Sequence, residues 1–238
     1  MDLIKLFSDK KKKLALLIDP DRTPVVSAVK LISEAYKNNF SFILIGGSLV
    51  SEKLDEYISV LKNKSKLPIV LFPGSVYQVS LKADGMLFLS LISGRNPDYL
   101  IGQHVIAAPI INKSKLQVIP TGYILIESGS VTAVEYMSNT KPIPATKPDI
   151  ICATALAGEM LGLKMIYLEA GSGANKKVHS EIIKQVRNTI TVPLIVGGGI
   201  HSPAELKEVF KAGANIAVIG TAIEKKPELL KEFGKILT

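Results

Sequence analysis

Two carboxylates that each end a short apolar run are the residues best suited to chemistry in this sequence. Asp19 follows LALLI and opens the segment DPDR (19–22). A carboxylate in such a position can hold Mg²⁺ together with substrate phosphates. Asp21 could equally cap the following helix, and Asp19 could pair with Arg22. Ser48 follows a second apolar run and could add a hydroxyl ligand, although serine before a helix is more often an N-cap. We predict a metal site at Asp19 and Ser48.

Glu169 lies near the end of another apolar run, two residues after Tyr167. On a strand both side chains then face one side, and Leu168 and Ala170 face the other. A carboxylate is costly to bury without a partner, which makes Glu169 a candidate general base. The alternatives are an ion pair between Glu169 and a lysine, and a packing role for Tyr167.

Glycine-rich segments suited to binding a phosphate end the last three apolar runs. They are GSGA (171–174), GGG (197–199) and GT (220–221). Glycine lets backbone N–H groups approach a phosphate closely. Each segment alone is more often a tight turn, but three at successive run ends favour a phosphate site.

Eight short apolar runs must position these residues. Most are continuous rather than alternating, as in strands that are buried on both faces of a parallel sheet. The runs are LALLID (14–19), FILIGG (42–47), PIVLFP (68–73), GMLFLS (85–90), YILIES (123–128), MIYLEA (165–170), PLIVGGG (193–199) and IAVIGT (216–221). The spacing continues to the C-terminus and no G-x-G-x-x-G turn follows the first run, which favours a (β/α)₈ TIM barrel over an open sheet.

Segments long enough for crossover helices separate several of the runs. They are Pro24–Asn38, Leu49–Lys62, Ile150–Leu161, Lys176–Thr189, Pro203–Ala212 and Pro227–Leu237. Residues 129–150 hold three prolines and few periodic apolar positions, so we expect an irregular insertion there. No linker divides the chain, and we predict a single domain over residues 1–238 with its polar residues at the carboxyl ends of the strands.

Composition bounds the range of partners. The chain has 238 residues, 47% of them hydrophobic, and a net charge of +8. Disorder is therefore excluded, and anionic partners such as phosphorylated metabolites, nucleic acid or an anionic membrane are favoured. No secretory signal or apolar run of about 18 residues is present, and the single cysteine, Cys152, fits a reducing compartment. We predict a cytoplasmic protein in which Cys152 packs and Lys10–Lys13 form a solvated face.

The remaining polar residues give weaker indications. Arg95, in the segment SGRNP (93–97), would make a good phosphate contact. His104 follows an apolar helix face and is expected to pack, whereas His179 and His201 resemble surface or capping positions. No histidine pair has the spacing of metal ligands.

Eight motifs in order resemble the geranylgeranylglyceryl phosphate synthase family, including its bacterial PcrB-like relatives. They are LIDPDR (17–22), ILIGGS (43–48), LFPGS (71–75), SGRNPDYLIGQHV (93–105), PTGYILIESG (120–129), YLEAGSGA (167–174), VGGGI (196–200) and IGTAIE (219–224). The resemblance covers essentially the whole chain. Some members have lysine two residues before the first aspartate, where this chain has Leu17, so it resembles the second major subgroup.

The resemblance implies a TIM-barrel prenyltransferase. Such an enzyme uses Mg²⁺ to join sn-glycerol 1-phosphate to a polyprenyl diphosphate, here expected to be geranylgeranyl diphosphate. Asp19 and Ser48 fall on the magnesium positions, and Glu169 takes the base position. Tyr167 is expected to shape the site or bond the glycerol. The glycerol 1-phosphate positions are Tyr167, Leu168, Glu169, Ala170, Gly171, Ser172, Gly173, Gly198, Gly199, Gly220 and Thr221.

The prenyl chain requires an apolar groove. Its expected lining is Phe72, Tyr77, Phe88, Leu91 and Tyr99, although core packing explains these residues equally well. The resemblance also implies a homo-oligomer, either a dimer or a hexamer, and a lipid product is compatible with peripheral membrane contact.

Two other classes of protein stay open. One is a different phosphate-binding barrel enzyme, such as a phosphosugar isomerase or a flavoenzyme. Against it, no second acid or base opposite Glu169 is evident. The other is a nucleic-acid or membrane-surface module driven by the charge, but the basic residues are scattered and no aromatic-interleaved patch occurs, so no nucleic-acid partner is expected.

Overall fold

Eight parallel strands close into a barrel, which confirms the TIM-barrel prediction. The computed structural model describes residues 2–237, and each strand pairs with its neighbours in sequence while the last pairs with the first. The single-domain prediction also includes Met1 and Thr238, which lie outside the described residues, and it stays a prediction. The strands are β1 (Lys13–Ile18), β2 (Phe42–Ile45), β3 (Ile69–Leu71), β4 (Gly85–Leu91), β5 (Gln117–Leu125), β6 (Met165–Glu169), β7 (Leu194–Gly197) and β8 (Ile216–Ile219).

The strands are apolar on both faces because both faces are covered. One face fills the barrel interior, where Ala15, Leu44 and Tyr167 pack together. The other face packs against the helices, with Leu16 and Ile43 as examples. This two-sided burial explains why the runs read as continuous rather than alternating.

Ten α-helices are present among residues 2–237, most of them on the outside of the barrel. They are α1 (Leu3–Ser8), α2 (Val25–Lys37), α3 (Leu54–Lys62), α4 (Gln103–Asn112), α5 (Ala133–Ser138), α6 (Pro148–Met160), α7 (Ser180–Thr189), α8 (Pro203–Lys211), α9 (Thr221–Lys225) and α10 (Leu229–Gly234). A 3₁₀ turn, Val76–Gln78, and a π turn, Asp98–Gly102, complete the regular structure.

The predicted helices exist, and their ends follow local capping. The Ser202 hydroxyl accepts a hydrogen bond from the Glu205 N–H, and the Glu205 carboxylate accepts one from the Ser202 N–H, so this capping box starts α8 at Pro203 as predicted. Two predicted starts are wrong. Helix α3 begins at Leu54, not at Leu49, and α7 begins at Ser180, not at Lys176, because the residues before each helix form loops above the barrel.

Two connections depart from a regular barrel. Between β3 and β4 the described chain has no α-helix, only the 3₁₀ turn, so the eightfold repeat predicted from the sequence is incomplete there. The irregular segment predicted at 129–150 contains α5, and Ile143 pairs with Ile126 beside the end of β5. Both departures lie at the carboxyl end of the barrel, where they shape the site.

Helix α1 closes the opposite end of the barrel. Its Leu3 and Phe7 are fully buried, and Phe7 packs on Phe42 with ring centroids 4.5 Å apart. The solvated-face prediction for the lysine run is wrong for Lys13, which is only 3% exposed. The Lys13 ammonium donates to the carbonyls of Asp9 and Lys11 at 2.8 and 2.9 Å, and these bonds compensate for its burial.

Among residues 2–237, no helix combines the length and the apolar character needed to cross a membrane.

Candidate active site

A cavity of about 460 Å³ opens at the carboxyl ends of the strands. This cavity, called the cleft below, has three parts: a buried carboxylate with glycine loops beside it, a second carboxylate near β1 and β2, and an apolar extension toward β4 and α4. The strand ends meet here because all eight strands are parallel. Residues that lie 150 positions apart in the sequence therefore share one surface.

Glu169 is the buried carboxylate. It is 5% exposed, and its Oε1 accepts a hydrogen bond from the Gly171 N–H at 2.7 Å. Burial raises the pKa of Glu169 to about 7, although the Gly171 N–H and the nearby Tyr167 hydroxyl oppose this rise. Within residues 2–237 no lysine or arginine forms an ion pair with it, so the structural ion-pair alternative is wrong. A carboxylate with a pKa near neutrality is suited to accept a proton.

Two glycines leave room for this carboxylate. A Cβ on Gly197 would overlap the Tyr167 hydroxyl and stand 2.9 Å from Glu169 Oε2. Gly198 has φ +77°, and a Cβ there would overlap Glu169 Oε1. The GGG segment is thus needed here to accommodate the carboxylate as well as any ligand.

Tyr167 forms the floor of the cleft. It is fully buried inside the barrel, and its ring centroid lies 5.3 Å from those of both Phe72 and Tyr123. Its buried hydroxyl makes no hydrogen bond of regular geometry to the described residues, but it lies close enough to the Glu169 carboxylate to favour the ionised form of that group. Burial, reinforced by the negative charge of Glu169, raises the pKa of Tyr167 well above its ordinary value. The neutral hydroxyl can therefore donate to a group bound above it.

The predicted glycerol phosphate residues fall into three groups. Ser172, Gly173, Gly198, Gly199, Gly220 and Thr221 line the cleft with Tyr167 and Glu169. By contrast, Leu168 and Ala170 point outward and pack between the barrel and the helices. Gly171 contributes its N–H to Glu169. The structure thus brings the three glycine segments together around one space.

Asp19 is the second carboxylate of the cleft. Its Oδ1 accepts from the Asp21 N–H at 3.1 Å, and its Oδ2 lies 3.4 Å from Arg22 Nε, as the salt-bridge alternative predicts. Burial raises its pKa in spite of these contacts. Gly47 lies against Asp19, and a Cβ there would stand 2.9 Å from Oδ2. The carboxylate is therefore held beside the loop that follows β2.

Ser48 and Asp21 do not cap helices. Lys53 precedes α3, so Ser48 lies in the loop before it, lines the cleft and makes no side-chain hydrogen bond among the described residues. Asp21 accepts hydrogen bonds from the Ser51 N–H and hydroxyl and from the Glu52 N–H, which ties this loop to the β1 end.

No group of three or more acidic, histidine or cysteine side chains within residues 2–237 forms a cage for a metal. A carboxylate with one hydroxyl nonetheless suits Mg²⁺, which retains several waters and binds substrate phosphates.

The cleft contains four of the five aromatic or leucine residues expected to line a prenyl groove. Phe88 lines the apolar extension with Val76, Val79, Met86 and Ala107, whereas Phe72, Leu91 and Tyr99 line the cleft from the interior of the barrel. The prediction was wrong for Tyr77, which is 92% exposed and points away from the cleft. The missing helix between β3 and β4 leaves the outside of β4 open, and this opening makes the extension possible.

Arg95 does not reach the cleft. It lines a separate surface depression and donates to the carbonyls of Ile92 and Gly94. The expected phosphate contact from Arg95 is therefore wrong for this site.

His104 is buried and packs edge-to-face on Phe88, with centroids 4.4 Å apart, as the packing prediction requires. His179 caps α7, and His201 is exposed beside the cleft. Cys152 packs against the core from a half-buried position.

Sequence reasoning missed three residues of the site. Gln78 is buried between the loops after β2 and β3, Ser75 lines the cleft, and Glu224 on α9 is half-buried beside Asp19. Burial raises the pKa of Glu224, and Asp19 adds to the rise through charge repulsion. Ser75 and Glu224 fall within the quoted motifs LFPGS and IGTAIE, which are the signals that could have located them.

Relatives of this chain share its length and fold. A geranylgeranylglyceryl phosphate synthase from Flavobacterium johnsoniae is 50% identical over 215 residues, covering 90% of this chain and 88% of the relative. Another from Pyrococcus furiosus is 42% identical over 218 residues, covering 91% and 86%. The crystal structure of (S)-3-O-geranylgeranylglyceryl phosphate synthase from Thermoplasma acidophilum, in complex with the substrate sn-glycerol-1-phosphate, matches with a TM-score of 0.92 and 31% identity and covers 98% of this chain and 96% of that one.

More distant barrels share the fold alone. An N-acetylmannosamine-6-phosphate 2-epimerase from Clostridium perfringens matches with a TM-score of 0.62 at 16% identity, covering 99% of this chain and 96% of that one. The model of the PcrB family matches residues 8–237, which is nearly the whole chain. This match and the close relatives confirm the family resemblance, and the chain belongs to the PcrB family.

Proposed function

We propose that this protein joins sn-glycerol 1-phosphate to a polyprenyl diphosphate and releases a prenylglyceryl phosphate ether and diphosphate. The observation that carries the proposal is the position of Glu169, a buried carboxylate between glycine loops suited to a phosphate and an apolar extension suited to a prenyl chain. The close relatives named geranylgeranylglyceryl phosphate synthase support the same reaction.

Glu169 supplies the base. The glycerol 3-hydroxyl attacks C1 of the prenyl chain, the C1–O bond to diphosphate breaks, and Glu169 accepts the hydroxyl proton. Its pKa of about 7 leaves it largely ionised at slightly alkaline pH yet basic enough to take the proton. The Gly171 N–H holds Oε1, so the carboxylate keeps one orientation. The glycine loops fix the phosphate and thereby orient the hydroxyl for attack.

We also propose that Asp19 and Ser48 hold Mg²⁺. The Asp19 carboxylate faces the cleft beside Gly47, and the Ser48 hydroxyl has no hydrogen bond to the described residues, so both can serve as ligands. When bound, the ion neutralises charge on the departing diphosphate. Asp19 and Ser48 line the same cleft as Glu169 and the apolar residues, so we infer that they hold the diphosphate of a substrate whose chain lies in the extension.

The prenyl chain occupies the apolar extension in this proposal, and its expected length is geranylgeranyl. The extension also favours the proposal over the isomerase alternative, since a phosphosugar has no chain to place there.

We propose that the chain forms a homo-oligomer and that the exposed surface of α4 is the interface between copies. Its exposed residues include Val105, Ile106 and Ile110, and the helix carries no charged side chain. A helix that is apolar on all sides is normally covered, and we expect a second copy of the chain to cover it. Light scattering tests this point. We expect the mass of a dimer or a hexamer for the wild-type protein and a lower mass for the Ile106→Glu variant. The cytoplasmic location and peripheral membrane contact stay predictions.

Product formation tests the proposed reaction. The protein is incubated with radiolabelled sn-glycerol 1-phosphate, Mg²⁺ and polyprenyl diphosphates of several lengths, and lipid is extracted. We expect labelled lipid with at least one chain length, less with the sn-glycerol 3-phosphate enantiomer, and none above background with the Glu169→Gln variant. Absence of labelled lipid with every chain length would falsify the proposal, and equal labelling without Mg²⁺ would exclude the metal.

A further inference from the structure

One buried amide, that of Gln78, connects the loops that follow β2 and β3. Gln78 is only 3% exposed although it lies at the rim of the cleft. Its Nε2 donates to the Gly47 carbonyl at 2.8 Å, and its Oε1 accepts from the Gly74 N–H at 3.1 Å and from the Gly47 N–H at a longer 3.4 Å. A single side chain thus satisfies three backbone groups on two separate loops.

The two loops approach each other closely at their glycines. A Cβ on Gly74 would stand 2.5 Å from the Gly47 carbonyl and 3.2 Å from Ser48 Cα. Such contacts hold little shape by themselves, because glycine has many accessible conformations. The amide of Gln78 is the side-chain group that bonds both loops, and we infer that it fixes the spacing between them.

Each loop places one serine hydroxyl in the cleft. Ser48 follows Gly47, Ser75 follows Gly74, and both line the cleft. Neither hydroxyl is engaged in a hydrogen bond within the part of the chain that the structure describes. Two unengaged hydroxyls on neighbouring loops, next to the Asp19 carboxylate that touches Gly47, suit the oxygens of a diphosphate and its cation.

Gln78 also lies behind the wall of the apolar extension, although its own side chain does not line the cleft. It lies in the 3₁₀ turn that replaces a crossover helix, and Val76 and Val79 on either side of it line the extension. The turn is fixed at its other end because the Val76 N–H donates to Gln103 Oε1 on α4 at 3.1 Å. Gln78 therefore couples the apolar wall to the polar loops.

We propose that Gln78 is a positioning residue that sets Ser48 and Ser75 as a seat for the diphosphate of the prenyl substrate, with Ser75 as a further contact to that group. This inference rests on the proposed function. It assigns no contact between Gln78 and substrate, since its amide is used by Gly47 and Gly74. A residue that orients binding groups in this way affects the ligand held by those groups and not the ligand held elsewhere in the cleft.

Gln78→Glu tests the proposal with little change of shape. The carboxylate can still accept from the Gly47 and Gly74 N–H groups, but it cannot donate to the Gly47 carbonyl, and the two oxygens repel. Gln185→Glu is the matched control, because Gln185 lies on α7 outside the cleft and bonds only to Glu181. Gln78→Met is a second variant that removes the bonds without adding charge, and circular dichroism and thermal melting check that each variant folds.

Steady-state kinetics separate positioning from general damage. For Gln78→Glu we expect the KM for the prenyl diphosphate to rise about tenfold, as for the loss of one buried hydrogen bond. The KM for glycerol 1-phosphate should stay within about twofold of the control, because the β6 to β8 loops that surround the phosphate have no contact with Gln78. The proposal would be overturned if both KM values increased equally or if neither increased.

Binding of inorganic diphosphate with Mg²⁺, measured by calorimetry, gives a readout that does not need turnover. Wild-type protein and Gln185→Glu should bind it, Gln78→Glu should bind about tenfold more weakly, and Ser75→Ala should also bind more weakly. Equal affinity of all four proteins would refute the seat even if product forms. If the variants bind diphosphate more weakly as expected but the wild-type protein makes no lipid, the diphosphate seat is supported and the proposed prenyl transfer is refuted.

Discussion

Replacing Glu169 with glutamine is predicted to slow turnover strongly and, at the same time, to stabilise the fold above neutral pH. Burial raises the pKa of Glu169 from the ordinary 4.5 to about 7. In the unfolded chain the group loses its proton near pH 4.5, whereas the folded protein holds the proton until about pH 7. The free energy of unfolding therefore falls as pH rises through this window, and it stays lower above it.

The size of the effect follows from the pKa shift. One pKa unit corresponds to about 1.4 kcal/mol, so ionising Glu169 costs the folded state about 3 kcal/mol at pH 8. Glutamine has no charge to bury, and its Oε1 can still accept from the Gly171 N–H. The variant should therefore gain about 3 kcal/mol over wild type between pH 4.5 and pH 8.

Urea unfolding of both proteins at pH 4.5, 6, 7 and 8, without phosphate ligands or Mg²⁺, measures this gain. In parallel, kcat/KM of the wild type should rise with pH and level off above about pH 7, because only the ionised carboxylate accepts a proton. The variant should be slower by about 10² to 10⁴-fold. A stability difference that does not change with pH would refute the account of the buried charge, and wild-type rates in the variant would refute the role of the base.

Three further substitutions test other parts of the structure. Gly198→Ala should lower kcat/KM at least about 100-fold, because its Cβ would overlap the Glu169 carboxylate that we propose as the base, whereas Gly129→Ala, also at positive φ but with open space around it, should keep activity. Phe7→Ala should cost about 3 to 5 kcal/mol in urea unfolding, since the ring is fully buried, and Ile4→Ala on the exposed side of the same helix should cost much less. Asp19→Asn should raise the Mg²⁺ concentration for half-maximal rate about tenfold, and an unchanged Mg²⁺ response would remove Asp19 from the metal site.

Much of the fold could be predicted because burial on both faces leaves a strong pattern in the sequence. All eight apolar runs became strands, and the run at 165–170 became β6 within one residue. The start of β5 was missed because Gln117, Pro120 and Thr121 interrupt its apolar pattern before Tyr123. The starts of α3 and α7 were missed for a different reason. Residues from distant parts of the chain hold these segments as loops where local propensity allows helix. Asp21, for example, accepts a hydrogen bond from the Ser51 N–H.

The residues of the candidate site also fall into those that the sequence identifies and those that only the structure reveals. Glu169 and the glycine segments could be identified because a carboxylate or a glycine at a strand end carries its own physical indication. Gln78 could not be identified, since a glutamine in a loop is ordinary until its partners Gly47 and Gly74 are known. Tyr77 was assigned to the groove because it is aromatic, yet the 3₁₀ turn directs its side chain to solvent.

The sequence by itself determined the number and order of the strands, the end of the barrel at which polar residues gather, and the two carboxylates for which we propose chemical roles, because these follow from local hydrophobic pattern and residue type. Only the tertiary structure decided which residues face the cleft, how far burial shifts the pKa of Glu169, and that a missing helix opens the apolar extension. Those properties depend on atoms brought together from strands far apart in the chain, and no local pattern specifies the distances between them.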